Sequence, residues 1–125
     1  MPIVLVVEDE PVVRMDAVIT LEDEGFDVIE ATTARAALAM LEKRNGDVEA
    51  LFTDVDLPGD MSRLELAGIV HHRWPHIALV ITSGVVRKPS VLPGHGIFLP
   101  KPYGSKAPVR VIRDLILSQK SGYSG

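Results

Sequence analysis

The chain has 125 residues, of which 46% are hydrophobic and 24% are charged, and it contains no cysteine. This composition fits one globular domain and excludes a disulfide framework, a thiolate metal site and a cysteine nucleophile. The net charge of −4 gives no electrostatic basis for binding nucleic acid or an anionic membrane surface. No apolar run approaches the roughly 20 residues of a membrane-spanning helix. Because the N-terminus also lacks a signal-peptide pattern, we expect a cytoplasmic protein.

Short β-branched runs alternate along the chain with helical patterns. The first strand is predicted at Ile3–Val7, Pro11 suits the first turn of the next helix, and Gly25 suits its end. Thr33 can cap the second helix, and Pro75 should close the third. The other predicted strands lie at 26–31, 50–56, 77–84 and within 96–103, and the other predicted helices at 34–44, 63–74 and 106–120.

The order of these elements predicts the fold. Strands that are apolar throughout and separated by helices are typical of a parallel sheet with helices on both faces. Right-handed crossovers make such a sheet doubly wound. The segment 85–95 contains two prolines and a glycine, so its fourth helix should be short or irregular. We therefore predict one α/β domain over residues 1–120, with a doubly wound five-stranded parallel sheet, and a flexible tail over 121–125.

Polar residues gather where the predicted strands end. Glu8 and Asp9 follow the first strand, Asp54 ends the apolar part of the third, Ser83 ends the fourth, and Lys101 follows the fifth. Because ligands of open parallel sheets bind beyond the carboxyl ends of the strands, we expect these side chains to meet. Carboxylate oxygens suit Mg²⁺, which commonly shares them with a phosphate, and a lysine suits the same phosphate. The pattern predicts a site for Mg²⁺ and a phosphoryl group.

Several short motifs, in this order and at these strand ends, resemble a response-regulator receiver domain over essentially the whole chain. Each motif is weak alone, and their combination is specific. The motifs are the pair Glu8-Asp9, Asp54 in "FTDVDLPG", Ser83-Gly84 in "VITSG" and Lys101-Pro102 in "FLPKPY". The resemblance implies a flavodoxin-like sheet with the strand order 2-1-3-4-5.

The resemblance also implies what the acidic residues do. Asp54 would accept a phosphoryl group from a histidine kinase or phosphotransferase of a bacterial two-component phosphorelay, and carboxylates are known nucleophiles in such transfers. Asp9 and Asp54 would bind Mg²⁺ directly, together with the backbone carbonyl of Asp56. Glu8 would bind the ion through a water, and Lys101 would pair with the phosphoryl oxygens.

A switch is implied in the same way. The Ser83 hydroxyl would move toward the phosphate, with Phe98 as its aromatic partner, and Lys101-Pro102 would be a cis peptide bond. Ser83 rather than Thr82 should face the site, because adjacent strand residues point to opposite faces. Phosphorylation should then reorganise the segment from Ser83 to Phe98 and the face that it shares with the last helix. That surface would bind a downstream target protein or a second copy of the chain.

Two other functions use similar patterns. The pair Asp54-x-Asp56 resembles the nucleophile and acid/base of haloacid-dehalogenase-like phosphatases, which place that motif on their first strand rather than their third. A flavin-binding module shares the strand order, but acids stand here where it needs a phosphate-binding loop. We therefore expect a signalling phosphoacceptor, at most able to phosphorylate itself from small phosphodonors and to dephosphorylate itself. A DNA-binding transcription factor is not expected.

Overall fold

The computed structural model describes residues 2–44, 47–54, 63–83, 97–100 and 107–120. Within them, five strands alternate with helices as the sequence predicts, except that no helix is described between the last two strands. The elements in chain order are β1 (Ile3–Val7), α1 (Pro11–Asp23), β2 (Asp27–Ala31), α2 (Ala34–Arg44), β3 (Val48–Asp54), α3 (Arg63–Arg73), β4 (Ala78–Ser83), β5 (Ile97–Pro100) and α4 (Ala107–Lys120).

All five strands form one sheet in the order β2-β1-β3-β4-β5, and every neighbouring pair is parallel. The predicted α/β class and the flavodoxin-like strand order are therefore confirmed. The predicted irregular helix at 85–95 and the flexible tail at 121–125 lie outside the described residues. The single domain over 1–120 stays a prediction. Among the described helices, none is both long and apolar enough to cross a bilayer.

Both faces of the sheet are buried, which is why its strands are apolar throughout. Successive side chains of a strand point to opposite faces, so each strand contributes side chains to the hydrophobic cores on both faces. Leu5 and Leu51 pack with α2 and α3 on one face. Val6, Phe52 and Val80 pack with α1 and α4 on the other. Helices therefore cover the sheet on both faces.

The sequence signals at the helix ends are confirmed. Pro11 stands in the first turn of α1, and the backbone N–H of Ala36 donates to the Thr33 hydroxyl at 3.0 Å at the start of α2. After α1, Gly25 has φ 94°. There the Gly25 N–H donates to the Glu22 carbonyl and the Phe26 N–H to the Leu21 carbonyl. This pair of bonds is a Schellman motif, whose left-handed residue is normally glycine.

Two glycine variants should have effects of opposite sign on stability. Gly25→Ala places a Cβ on a left-handed backbone and should lower the free energy of unfolding by about 1–2 kcal/mol. Gly68 lies inside α3 with open space around its Cβ position. Gly68→Ala should therefore raise the same quantity by about 0.5–1 kcal/mol. Urea unfolding of both proteins measures the two changes. Shifts in the same direction would contradict the argument from backbone conformation.

Candidate functional site

The parallel register brings the ends of β1, β3 and β4 to one edge of the sheet. Val7, the last residue of β1, pairs with Thr53 of β3. Glu8 directly follows Val7, and Asp54 directly follows Thr53. Asp54 in turn pairs with Thr82 of β4. The backbone of the acid pair after β1 therefore lies next to the backbone of the acid that ends β3.

The same edge continues into β5. Ser83 pairs with Pro100, and Phe98 pairs with Ile81 two rungs deeper in the sheet. Lys101 follows Pro100 directly in the sequence. The strand ends that the sequence analysis grouped together are thus neighbours in the sheet, which supports a single site at this edge.

The two acids of the pair have different environments. Glu8 is buried, with only 6% of its surface exposed, whereas Asp9 is exposed. The Glu8 N–H donates to the Ala31 carbonyl at 3.1 Å, which extends the pairing of β1 with β2 by one residue. The Glu8 carboxylate accepts from the Glu10 N–H at 3.2 Å. Glu8 is therefore fixed within the turn, and Asp9 is presented to solvent at the edge.

A small recess lies between this edge and α1. It has a volume of about 10 Å³, close to what one water needs. Glu8 and Thr82 line it together with Val13 and Ala17 of α1. Both Glu8 and Thr82 are buried. Thr53 is buried and lines the recess as well, so two threonines adjoin the acid turn, which comprises residues Glu8 to Glu10.

The register places Thr82 next to Asp54. The prediction that Ser83 rather than Thr82 faces the site depends on the Asp54 and Ser83 side chains, which are not among those described, and it stays a prediction. Alternation within one strand, which the sequence shows, relates Thr82 only to Ser83. It does not say which of the two shares a face with a residue of another strand.

Sequence reasoning also missed Arg14. Its Nη1 donates to the backbone carbonyl of Glu8 at 2.9 Å, and its Nε lies 3.1 Å from a carboxylate oxygen of Glu30 in β2. Arg14 is the only basic residue in the sequence of α1, and it lies five residues after Asp9. That isolated cation is the signal that could have revealed it.

An apolar stripe runs along the outer side of α1. Val12, Met15 and Ile19 are 77%, 61% and 50% exposed, and their spacing places them on one face of the helix. Val18 and Leu21, on the other side, are buried against the sheet. A helix that is apolar on two sides but packed on one commonly has a partner for the other. The stripe begins two residues after Glu10, beside the acidic edge.

Several predicted site features lie outside the described residues. In the described part of the chain, no three His, Cys, Asp or Glu side chains come together as a metal site. The predicted site needs the Asp54 side chain as its third carboxylate, and that side chain is not among those described. The same holds for the side chains of Ser83 and Phe98 and for the whole of Asp56, Lys101 and Pro102. The roles assigned to these residues stay predictions.

A parallel sheet of this order, with acids at the ends of two adjacent central strands, defines a doubly wound domain with an acidic carboxyl edge. The model of the response regulator receiver domain family matches residues 4–106. The chain therefore belongs to the receiver-domain family of two-component systems, and the predicted resemblance is confirmed. Receiver domains are signalling phosphoacceptors rather than metabolic enzymes, and they generally bind Mg²⁺.

Bacterial relatives agree with this assignment. The chain is 32% identical over 120 residues to sensor kinase CckA of Brucella abortus, covering 93% of this chain and 13% of the relative. It is 34% identical over 82 residues to the nitrogen assimilation regulatory protein NtrX of Azorhizobium caulinodans, covering 65% and 18%. The chain spans less than a fifth of either relative. These relatives are a sensor kinase and a regulatory protein.

Solved structures show the same fold. A response regulator receiver domain protein from Clostridium thermocellum superposes with a TM-score of 0.87 at 20% identity, covering 97% of this chain and 98% of that one. The receiver domain of the hybrid histidine kinase CckA superposes with a TM-score of 0.79 at 27% identity, covering 91% and 98%. The first likeness shows the fold alone, and the second also supports a receiver domain.

Proposed function

We propose that this chain takes a phosphoryl group from a histidine kinase or phosphotransferase onto Asp54, with Mg²⁺ bound, and thereby switches its contacts with other proteins. The observation that carries the proposal is the register of β1 and β3. It sets Glu8 and Asp9 beside Asp54 at the carboxyl edge of the sheet. Three acidic residues at two adjoining strand ends favour a cation, which would offset the repulsion between their carboxylates.

The residues at the edge fit Mg²⁺, a hard cation that takes oxygen ligands and keeps several waters. The exposed carboxylate of Asp9 would bind the ion directly, together with Asp54 and the backbone carbonyl of Asp56. The Glu8 carboxylate already accepts a hydrogen bond from the Glu10 N–H, and its burial favours a role through a bound water. When bound, the ion would offset negative charge on the phosphoryl oxygens.

In the proposed transfer, Asp54 is the only residue of this protein that forms a covalent bond. A carboxylate oxygen of Asp54 attacks the phosphorus of a phosphohistidine, an O–P bond forms, and the N–P bond breaks. The imidazole leaves with the electron pair of that bond and takes up a proton. The Lys101 ammonium and the Ser83 hydroxyl would hold the phosphoryl oxygens in line, and positioning supplies most of the rate.

The output is proposed to follow from the same contacts. Ser83 ends β4 and Lys101 follows β5, so both ends of the segment between them are drawn toward a phosphoryl group on Asp54. Phe98 would follow the Ser83 hydroxyl as its aromatic partner. The partner surface would be this segment together with the outer face of α4, used for a downstream target or a second copy of the chain.

The apolar stripe of α1 is assigned to the phosphoryl donor. A donor must reach the carboxyl edge, and Val12 lies in the first turn of the helix that starts there. Asp16 and Asp23 are exposed on the same side of α1. A second copy of the chain would bring these acids against themselves, which disfavours self-association. A partner helix with an apolar seam and basic flanks fits both the stripe and its charges.

Asp54→Asn should abolish phosphorylation. The amide is not a nucleophile, so the variant should gain no phosphoryl mass when incubated with acetyl phosphate and Mg²⁺ under conditions that label the wild type. Asp56→Asn is the matched control and should still be labelled, because only its backbone carbonyl is assigned a role. Intact mass spectrometry measures both. Equal labelling of Asp54→Asn and wild type would refute the assignment, and turnover of phosphate monoesters that needs Asp56 would favour the phosphatase.

Asp9→Ala should weaken Mg²⁺ binding much more than Glu10→Ala. Removing a residue that hydrogen-bonds a metal ligand typically weakens metal binding by roughly 10–100-fold. Removing a ligand itself should weaken binding by at least as much. Glu10 also carries an exposed carboxylate, but only its backbone contacts the Glu8 turn. Titration calorimetry with MgCl₂ measures the two dissociation constants. Similar losses would show that charge near the edge, rather than a ligand at position 9, determines binding.

Met15→Glu should slow phosphotransfer from a phosphorylated histidine phosphotransfer protein that labels the wild type, by roughly tenfold, the cost of one moderate interface residue. Labelling by acetyl phosphate should not change, because a small donor needs no docking surface. Leu117→Glu is the matched control, since Leu117 is a 59% exposed apolar residue on α4. Equal slowing by both variants would remove the stripe from the docking surface.

A further inference from the structure

Arg14 ties together three elements that meet at the acid turn. Its Nη1 donates to the Glu8 carbonyl at 2.9 Å, just after β1. Its Nε donates to the Glu30 carboxylate at 3.1 Å, in β2. The side chain starts from the first turns of α1 and is only 21% exposed. It therefore spans from a helix to the ends of two strands across the base of the turn.

The backbone completes a closed network around Asp9. The Arg14 N–H donates to the Glu10 carbonyl at 2.9 Å, and the Glu10 N–H donates to the Glu8 carboxylate at 3.2 Å. Glu8 and Glu10, on either side of Asp9, are thus each bonded to Arg14 and to each other. Asp9 itself is exposed at the apex of this network.

We propose that Arg14 is a positioning residue for the metal site, which holds the Glu8–Glu10 turn so that the Asp9 carboxylate is presented in one orientation. This inference rests on the proposed Mg²⁺ site at that carboxylate. The guanidinium suits the task because its planar donors can bind a backbone carbonyl and a carboxylate at the same time. A bond from a charged donor to a backbone carbonyl is also stronger than a neutral one.

Positioning and simple charge make opposite predictions for this residue. Arg14 is a cation close to a site that binds a cation. If only its charge mattered, removing it would tighten Mg²⁺ binding. If it holds the turn, removing it should weaken Mg²⁺ binding despite the loss of repulsion, because Asp9 would have to be ordered when the ion binds.

Arg14→Met removes the charge and the donors but keeps an apolar stem. Arg14→Lys keeps the charge but cannot reproduce the two-directional bonding. Arg113→Met is the matched control, because Arg113 bonds the Glu24 carboxylate at 3.2 Å and the Glu24 carbonyl at 3.5 Å at the opposite end of α1. It makes the same two kinds of contact far from the edge. Glu30→Gln is a mild fourth variant, since Glu30 is 49% exposed.

Two measurements on the full chain test the proposal. Hydrogen exchange in metal-free protein reports whether the Glu10 N–H loses its bond to Glu8. Titration calorimetry with MgCl₂ reports the dissociation constant. We expect Arg14→Met to speed exchange at Glu10 about tenfold and to weaken Mg²⁺ binding about tenfold. Arg14→Lys should weaken Mg²⁺ binding by a smaller factor. Glu30→Gln should change both quantities in the same direction by a smaller factor, and it decides the question if Arg14→Met does not fold.

The proposal is overturned if Arg14→Met binds Mg²⁺ as tightly as wild type or more tightly. It is also overturned if exchange at Glu10 is unchanged, or if Arg113→Met produces the same changes through a general loss of stability. Failure of the proposed function gives a different result. The wild type would then bind no Mg²⁺ and take no label from acetyl phosphate, and Arg14→Met would still speed exchange at Glu10.

Discussion

Parallel pairing of β1 with β3 is the constraint on which the rest of the site depends. Because Val7 lies opposite Thr53, both strands end at one edge of the sheet, and an acidic residue follows each member of that pair. A shift of one residue in that register would turn every side chain of a strand to the other face. Since both faces are packed with buried apolar side chains, the register is held by two cores at once. The fold thus brings acidic residues of two strands to one edge of the sheet, where solvent or a cation can compensate their charge.

Neighbouring residues of the acid turn after β1 differ in burial and in hydrogen bonding. Glu8 has its N–H, its carbonyl and its carboxylate all bonded within the protein, whereas Asp9 faces solvent. A buried carboxylate is tolerated only where hydrogen bonds replace water. Glu8 is therefore held within the protein by these bonds, and the exposed Asp9 is the acid with direct access to solvent. Thr82 extends this polar group into the sheet, on the rung that also holds Asp54.

Three sides of helix α1 have different surroundings. Val18 and Leu21 belong to the core. Arg14 reaches back to the strand ends, and Val12, Met15 and Ile19 form the exposed apolar stripe. The helix starts at the acidic edge and is anchored at its other end by the Gly25 turn and by Arg113. A partner bound to the stripe would therefore sit against a helix that is fixed at both ends and lies next to the site.

The class of fold and the limits of most elements could be predicted from the sequence, because apolar strand runs, Pro11, Gly25 and Thr33 act through local chemistry. The family could be predicted because its motifs fall at strand ends in order. The sequence also named Glu8, Asp9 and Asp54 as neighbours, since parallel strands must end at one edge. The packed fold was needed to distinguish the buried Glu8 from the exposed Asp9, to pair Thr82 with Asp54 in the sheet and to bring Arg14 to the acid turn. Those facts depend on register between strands and on a helix packing across two of them, and such contacts join residues whose separation in sequence carries no periodic signal.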